Sequence, residues 1–274
     1  MEIKKPAMAG TLESSDCQVT VEPGDGSVEF NLESAVINQY GNQIRKIVME
    51  TLKHLDVDNV RISVVDKGAL DCTIKARVEA RCSVRLTSMK TSVGRCHPMI
   101  NANKKRLRRT MMFLNAQKPG LIKDPYIYRP DSIMLDLEDA VAENQKDAAR
   151  FSLYHALKEI NYRGCERVVR INGLDTPYWE EDIHCAVAGG CDAIRIPKTE
   201  CALDVQRVEA VVEECEKQYG IPEGHTLIMA AIESARGVMK ALEICESSLS
   251  VCSALPFPAV TTPKISQTHI TAPA

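Results

Sequence analysis

Aromatic residues are scarce in this chain. Four Phe, seven Tyr and one Trp amount to 4% of 274 residues. A basic excess is missing too: 34 Lys and Arg face 37 Asp and Glu, for a net charge of −3. Nucleic-acid surfaces need clustered cations, and single-strand binders need aromatic platforms among them, so nucleic acid is not an expected partner. No apolar run approaches the ~18 residues of a membrane span, and no membrane partner is expected either. The opening Met1-Glu2-Ile3-Lys4-Lys5-Pro6 lacks an apolar h-region. A secretory leader is therefore not expected, and a cytoplasmic location is. Eleven cysteines are present, an odd number, and no pair has Cys-x-x-Cys spacing. Zinc-finger and thioredoxin patterns are thereby excluded, and buried reduced thiols are the expectation.

What is present is ordinary for a globular protein: 45% hydrophobic and 26% charged residues, enough for one or two domains. Charge is unevenly spread. From Arg81 to Lys123 there are eleven Lys or Arg and no acid, with Lys104-Lys105-Arg106-Leu107-Arg108-Arg109 the densest part. Residues 87–103 within it are rich in Ser, Thr, Gly, Pro and Asn and show no period, so 86–105 reads as a basic linker. Residues 1–85 precede it as a small α+β domain. Ser34 to Leu55 has helical spacing, with Ala35, Val36, Ile44, Ile47, Val48, Leu52 and Leu55 recurring on one side. Val60, Ile62 and Val64 alternate as a strand, and Asp66-Lys67-Gly68 reads as a turn. Leu70 to Val78 then reads as a second strand, closing a hairpin. Cys17–Val21 and Ser27–Phe30 are further β-like runs.

Residues 106–246 change character. Strand-like runs at 111–114, 132–136, 167–171, 192–196 and 227–232 alternate with helix-like runs at 147–160, 178–188, 202–219 and 235–247. This is the signature of parallel βα units. The expected fold class is α/β, a partial (β/α)8 TIM-type barrel truncated after about five units, since a full barrel needs eight in about 250 residues. Residues 247–274 carry four prolines, nine Ser or Thr and a single charged residue, Lys264. They read as a disordered or unrelated tail. A barrel ended there is expected to leave strand edges open and its core uncovered.

Chemistry in parallel βα folds gathers at the carboxyl ends of strands. Those ends read Asp136-Leu137-Glu138-Asp139, Arg170-Ile171-Asn172-Gly173, Arg195-Ile196-Pro197-Lys198 and Ala230-Ala231-Ile232-Glu233-Ser234. Such a succession suggests a rim for a divalent cation and an anionic substrate. Glu233 is the best candidate Mg2+ ligand, Glu138 and Asp139 are candidate ligands or supporting acids, and Lys198 is a compact positive charge. Arg170 offers a fork that matches a carboxylate. Near the start, Gly10-Thr11-Leu12-Glu13-Ser14-Ser15-Asp16 is flexible and hydroxyl-rich. On the residues alone it reads as a cap or turn, with attachment of a prosthetic arm as an alternative.

Pro6-Ala7-Met8-Ala9-Gly10-Thr11-Leu12-Glu13-Ser14-Ser15-Asp16, Asp66-Lys67-Gly68-Ala69-Leu70-Asp71-Cys72 and Ala76-Arg77-Val78-Glu79-Ala80 resemble the acyl carrier (gamma) subunit of bacterial citrate lyase. Leu107-Arg108-Arg109-Thr110-Met111-Met112-Phe113, Leu135-Asp136-Leu137-Glu138-Asp139-Ala140-Val141, Arg170-Ile171-Asn172-Gly173-Leu174-Asp175, Arg195-Ile196-Pro197-Lys198-Thr199 and Ala230-Ala231-Ile232-Glu233-Ser234 resemble its beta subunit. That subunit is the citryl thioester lyase of the HpcH/HpaI-like barrels. The resemblance implies that Ser14 carries a phosphoribosyl-dephospho-coenzyme A group ending in a thiol, with Ser15 the runner-up. It implies a Mg2+-dependent cleavage of the citryl thioester to oxaloacetate and an acetyl thioester. Arg170 and Glu233 fall at substrate-binding positions, Glu233 also at a metal position, and Glu138, Asp139 and Lys198 are the candidate catalytic groups. The implied partners are the alpha subunit, further beta and gamma copies in a large complex, and a prosthetic-group transferase. The family's second metal acid lies on a further strand in an acidic Gly-rich motif, and the match stops near Ser247. An impaired lyase half is therefore expected, with a non-catalytic carrier module as the alternative.

Overall fold

The structure, a computed structural model, describes residue 3, residues 5–82 and residues 108–247. The expected linker at 86–105 and the tail beyond Ser247 lie outside the described residues. Among the described residues no helix is long and apolar enough to cross a membrane.

Two sheets form, each with its own core. The first contains β1 (Ala7–Ala9), β2 (Cys17–Pro23), β3 (Val28–Ser34) and β4 (Val60–Asp66), in the order β1-β2-β4-β3. Alternation places Val19 opposite Val64 and Val21 opposite Ile62 in the antiparallel β2–β4 ladder, so one face is a continuous apolar surface. Helix α1 (Ile37–His54) connects β3 to its parallel neighbour β4. It buries Ile44, Ile47, Val48 and Leu52 at helical spacing, as the sequence predicts.

The expected hairpin does not form. Asp71–Cys82 is a helix, α2, rather than a second strand. The Asp66 carboxylate accepts the N–H groups of Gly68 and Ala69 at 3.1 and 2.8 Å, which turns the chain out of β4. Asp71 then lies in the first helical turn, where its charge suits the helix dipole. The apolar alternation from Leu70 to Val78 arises because α2 is buried on two sides. Ile74, Val78 and Cys82 join the first core, while Cys72 joins the core of the second sheet. A helix packed on two faces loses the single apolar stripe by which a surface helix is recognised.

The second sheet has five parallel strands in sequence order: β5 (Met111–Asn115), β6 (Ser132–Asp136), β7 (Glu166–Arg170), β8 (Ala193–Ile196) and β9 (Leu227–Ala230). The short helix α3 (Pro119–Ile122) follows β5. Helices α4 (Lys146–Glu159), α5 (Trp179–Gly189) and α6 (Ala202–Tyr219) follow the next three strands. Leu135, Val169, Ile194 and Ile228 point toward this helical layer, and Met134, Val168, Ala193 and Met229 form the opposite face. The strand order never reverses, so this sheet is wound in one sense, unlike a doubly wound sheet with its switch point. Met134, Val168, Ala193 and Met229 are at most 1% exposed, so that inner face is covered. The expected final helix is split at Lys240 into α7 (Ala235–Met239) and α8 (Ala241–Glu246).

Candidate active site

Register alone assembles the centre of the rim. Asp136 and Arg170 end adjacent strands as direct partners, and Arg170 is in turn the partner of Arg195. The Arg170 guanidinium donates to both Asp136 oxygens, from Nε at 2.8 Å and Nη2 at 2.6 Å. Its fork is therefore occupied by a carboxylate of this chain, not held open as the sequence suggested. The third nitrogen, Nη1, lies 3.1 Å from Glu138 Oε2 and 3.7 Å from Asp139 Oδ2. The first of these is a charge contact without hydrogen-bond alignment, and Oε2 accepts no hydrogen bond among the described residues. Lys198 Nζ approaches the other oxygen of Glu138 at 3.1 Å. The Phe113 ring lies under both arginines, with its centroid 5.5 Å from the guanidinium carbon of Arg170 and 5.8 Å from that of Arg195.

The acidic turn after β6 is fixed in place. The Glu138 N–H donates to Asp136 Oδ1 at 2.9 Å, and Lys146 Nζ donates to the carbonyls of Leu137 and Glu138 at 2.7 and 2.6 Å. Burial pushes the Glu138 carboxyl above the usual carboxylate range, a shift that Lys198 and Arg170 restrain. The Glu138 contact raises Lys198, while burial lowers Lys146. Lys198 adopts a left-handed backbone, φ 49°, at the sharp exit from β8.

Of the residues picked from the sequence, Glu138, Asp139, Arg170 and Lys198 converge. Glu233 joins the same rim through Arg195, whose Nη2 lies 3.9 Å from Glu233 Oε1 and whose charge also interacts with Arg170 and Glu138. Asp136 and Arg195 lie in the strand-end strings, but the linear pattern gives them no role of their own, and it does not point to Phe113 or Lys146. Asp136 was visible as a strand-terminal acid, but its pairing with Arg170 depends on register between strands 34 residues apart. Arg195 is 2% exposed, and its Nε has no hydrogen-bond partner among the described residues.

Mg2+ keeps several waters and takes only one or two protein carboxylates, so Glu138 and Glu233 are the rim acids that would bear on it. No three His, Cys, Asp or Glu side chains among them converge as a metal cluster. Glu138 is engaged by two cations and Glu233 faces a third.

Ser14 lies elsewhere, on the loop between β1 and β2. It is exposed, whereas the neighbouring Ser15 is 7% exposed. Ser15 has a left-handed backbone, φ 66°, its N–H donates to Lys67 O at 3.0 Å, and its hydroxyl accepts from Lys123 Nζ at 2.9 Å. Among the described residues the exposed hydroxyl of the pair thus belongs to Ser14. The loop is anchored by Asp16, which takes both Nε and Nη2 of buried Arg77 at 3.0 Å and accepts from the Thr11 hydroxyl at 2.8 Å.

Comparison with known proteins gives two family matches along the chain. Residues 109–255 match the family model described as HpcH/HpaI aldolase/citrate lyase. The chain belongs to that family. Residues 4–83 match the model described as malonate decarboxylase delta subunit (MdcD). The citrate lyase subunit beta of Leuconostoc mesenteroides subsp. cremoris is 50% identical over 146 residues, covering 53% of this chain and 48% of its own. The citrate lyase acyl carrier protein of Clostridium perfringens is 60% identical over 81 residues, covering 29% of this chain and 80% of its own. Among solved structures, the citrate lyase beta subunit from Mycobacterium tuberculosis aligns at 30% identity and a TM-score of 0.39, covering 50% of this chain and 52% of that one. The chain spans about half the length of the beta subunits it matches and most of the carrier protein. Carrier-like and lyase-like parts are thus joined in one HpcH/HpaI-family chain.

Proposed function

We propose that this chain is a citrate lyase component in which an acyl carrier module, residues 1–85, is joined through residues 86–105 to part of a beta-subunit barrel, residues 106–246. Its arm, a phosphoribosyl-dephospho-coenzyme A group, is attached to Ser14 through a phosphodiester and ends in a thiol. The observation that carries this reading is that the two family matches, 4–83 and 109–255, follow one another in one chain, with the exposed serine on the first and the charged rim on the second. Exposure favours Ser14 over Ser15, whose hydroxyl is buried against Lys123.

The reaction proposed is cleavage of a citryl thioester. The bond between the thioester α-carbon and the hydroxyl-bearing carbon breaks, its electron pair moves to the α-carbon, and the hydroxyl proton is lost. The products are oxaloacetate and, once the α-carbon takes up a proton, the acetyl thioester. Glu138 is the proposed proton acceptor, since burial raises its basicity. Lys198 and Arg170 keep it in place and ionised, and Arg195, a buried guanidinium whose Nε has no hydrogen-bond partner among the described residues, is suited to a substrate carboxylate. In the family Mg2+ supplies charge stabilisation for the developing enolate. Glu138 and Glu233 are the acids of the rim that would bear on it. The proposed partners are an alpha subunit, further beta and gamma copies, and the transferase that loads the arm.

A second reading is carrier only, in which Glu138 is held by Lys198 and Arg170 as a structural ion cluster and performs no proton transfer. The test is to co-express the full chain with the transferase, map the adduct by mass spectrometry, and assay citryl thioester cleavage with Mg2+. An adduct on the Ser14 peptide that is lost in Ser14→Ala supports the carrier assignment, and an unmodified peptide refutes it. Turnover that disappears in Glu138→Gln supports the lyase assignment, whereas an adduct without turnover supports the carrier-only reading.

A further inference from the structure

The carrier loop is bracketed by two lysines that belong to the other module. Both come from the segment that follows β5, at the carboxyl end of the second sheet. Lys123 Nζ lies 2.9 Å from Ser15 Oγ on one side of Ser14. Lys118 Nζ lies 3.7 Å from Glu13 Oε1 on the other. Between them the backbone comes close, because a Cβ added to Gly120 would sit 3.4 Å from Ser14 O. The juxtaposition is held by contacts away from the serine. Arg77 Nη2 donates to Gln117 O at 3.0 Å, Lys75 Nζ pairs with Glu159 at 2.7 Å, and buried Glu79 pairs with His155. Each of these crosses from the carrier module to the β5–α3 loop or to α4.

The two ammonium groups have only weak partners on the loop. Lys123 donates to a neutral hydroxyl, and the Lys118 pair is long and exposed, with side chains 52% and 63% accessible. Such groups are poised to exchange these partners for a phosphate oxygen, which attracts an ammonium as a point charge and hydrogen-bond acceptor. We infer that Lys118 and Lys123 form a cis clamp for the phosphodiester at Ser14, holding the base of the arm beside the strand ends of the fused lyase module. The clamp rests on the reading of Ser14 as the attachment site. Lys118 is exposed and Lys123 half-buried, so replacing both leaves the two cores intact.

The experiment is 31P NMR of the full-length chain loaded by the transferase, compared with Lys118→Met/Lys123→Met loaded in the same way. Mass spectrometry on the same samples maps the adduct. In the loaded wild type the phosphodiester resonance, distinct from the diphosphate of the arm, is expected to be broadened by immobilisation and to sharpen as salt screens the clamp. In the double variant that broadening and its salt dependence are expected to be lost while the Ser14 adduct remains. An adduct on Ser14 whose phosphodiester signal is the same in both proteins overturns the clamp and leaves the carrier reading standing. Absence of the adduct overturns the carrier assignment itself, and its location on Ser15 overturns the choice of Ser14 and with it the clamp.

Discussion

Asp16 and Arg77 form a pair that is almost fully removed from water, at 2% and 1% exposure, and it fixes the loop bearing Ser14. Removing one partner strands the other charge, which typically costs about 3–5 kcal/mol. Asp16→Ala is expected to lose stability of that order in urea unfolding, with loss of the Thr11 and Cys17 contacts as well. At the rim, Glu138→Gln is expected to lower any citryl thioester turnover by roughly 100-fold or more, the usual loss when a proton-transfer group is removed. The same variant offers a test independent of turnover. Lys198 owes its raised basicity first to Glu138, so the variant amine should be less protonated and should acylate faster at mildly alkaline pH, as read by peptide mass spectrometry. Glu138, Arg170 and Lys198 were legible in the sequence because strand ends concentrate chemistry. That Asp136 fills the Arg170 fork was not, because no linear spacing encodes which strand-terminal residues become neighbours.

Among the elements, β6 (Ser132–Asp136) and α6 (Ala202–Tyr219) lie where the sequence puts them, because their apolar periods are undisturbed by a second contact. Helix α2 was misread because it packs against both cores. Its contact with α4 carries a pH dependence. Burial opposes charging of His155, yet Glu159 and Glu79 outweigh it and raise its pKa above the ordinary 6.5. Lys75 is the other charge in this cluster, paired with Glu159, and the Tyr154 ring meets the imidazole edge-on. A raised folded-state value means that the stabilisation is complete below the ordinary value and is lost as pH rises through the raised one. Stability is therefore expected to decline above pH 6.5 in the wild type, and His155→Gln should flatten that part of the profile in denaturant titrations. The α4–α5 crossing is equally specific. A Cβ at Gly189 would lie 2.8 Å from Leu157 Cδ1, so Gly189→Ala is expected to lower the thermal midpoint, at a cost of about 1–3 kcal/mol from overpacking.

For the molecule as a whole, the seam between its two parts joins ionic, polar and apolar contacts, with Cys72 of α2 inside the core of the second sheet. This seam was invisible in the sequence, where only a change of composition separated the two modules. After cleavage at a protease site inserted between residues 83 and 107, the halves are expected to co-elute in gel filtration and to part when Glu79→Ala and Glu159→Ala are combined. The seam also has a kinetic consequence. A carrier loop seated on its own partner half makes delivery an event within one molecule, governed by local rather than bulk concentration. Under the proposed citryl thioester cleavage, turnover per chain should then be indifferent to dilution, and a carrier supplied in excess from outside should compete poorly with the resident one.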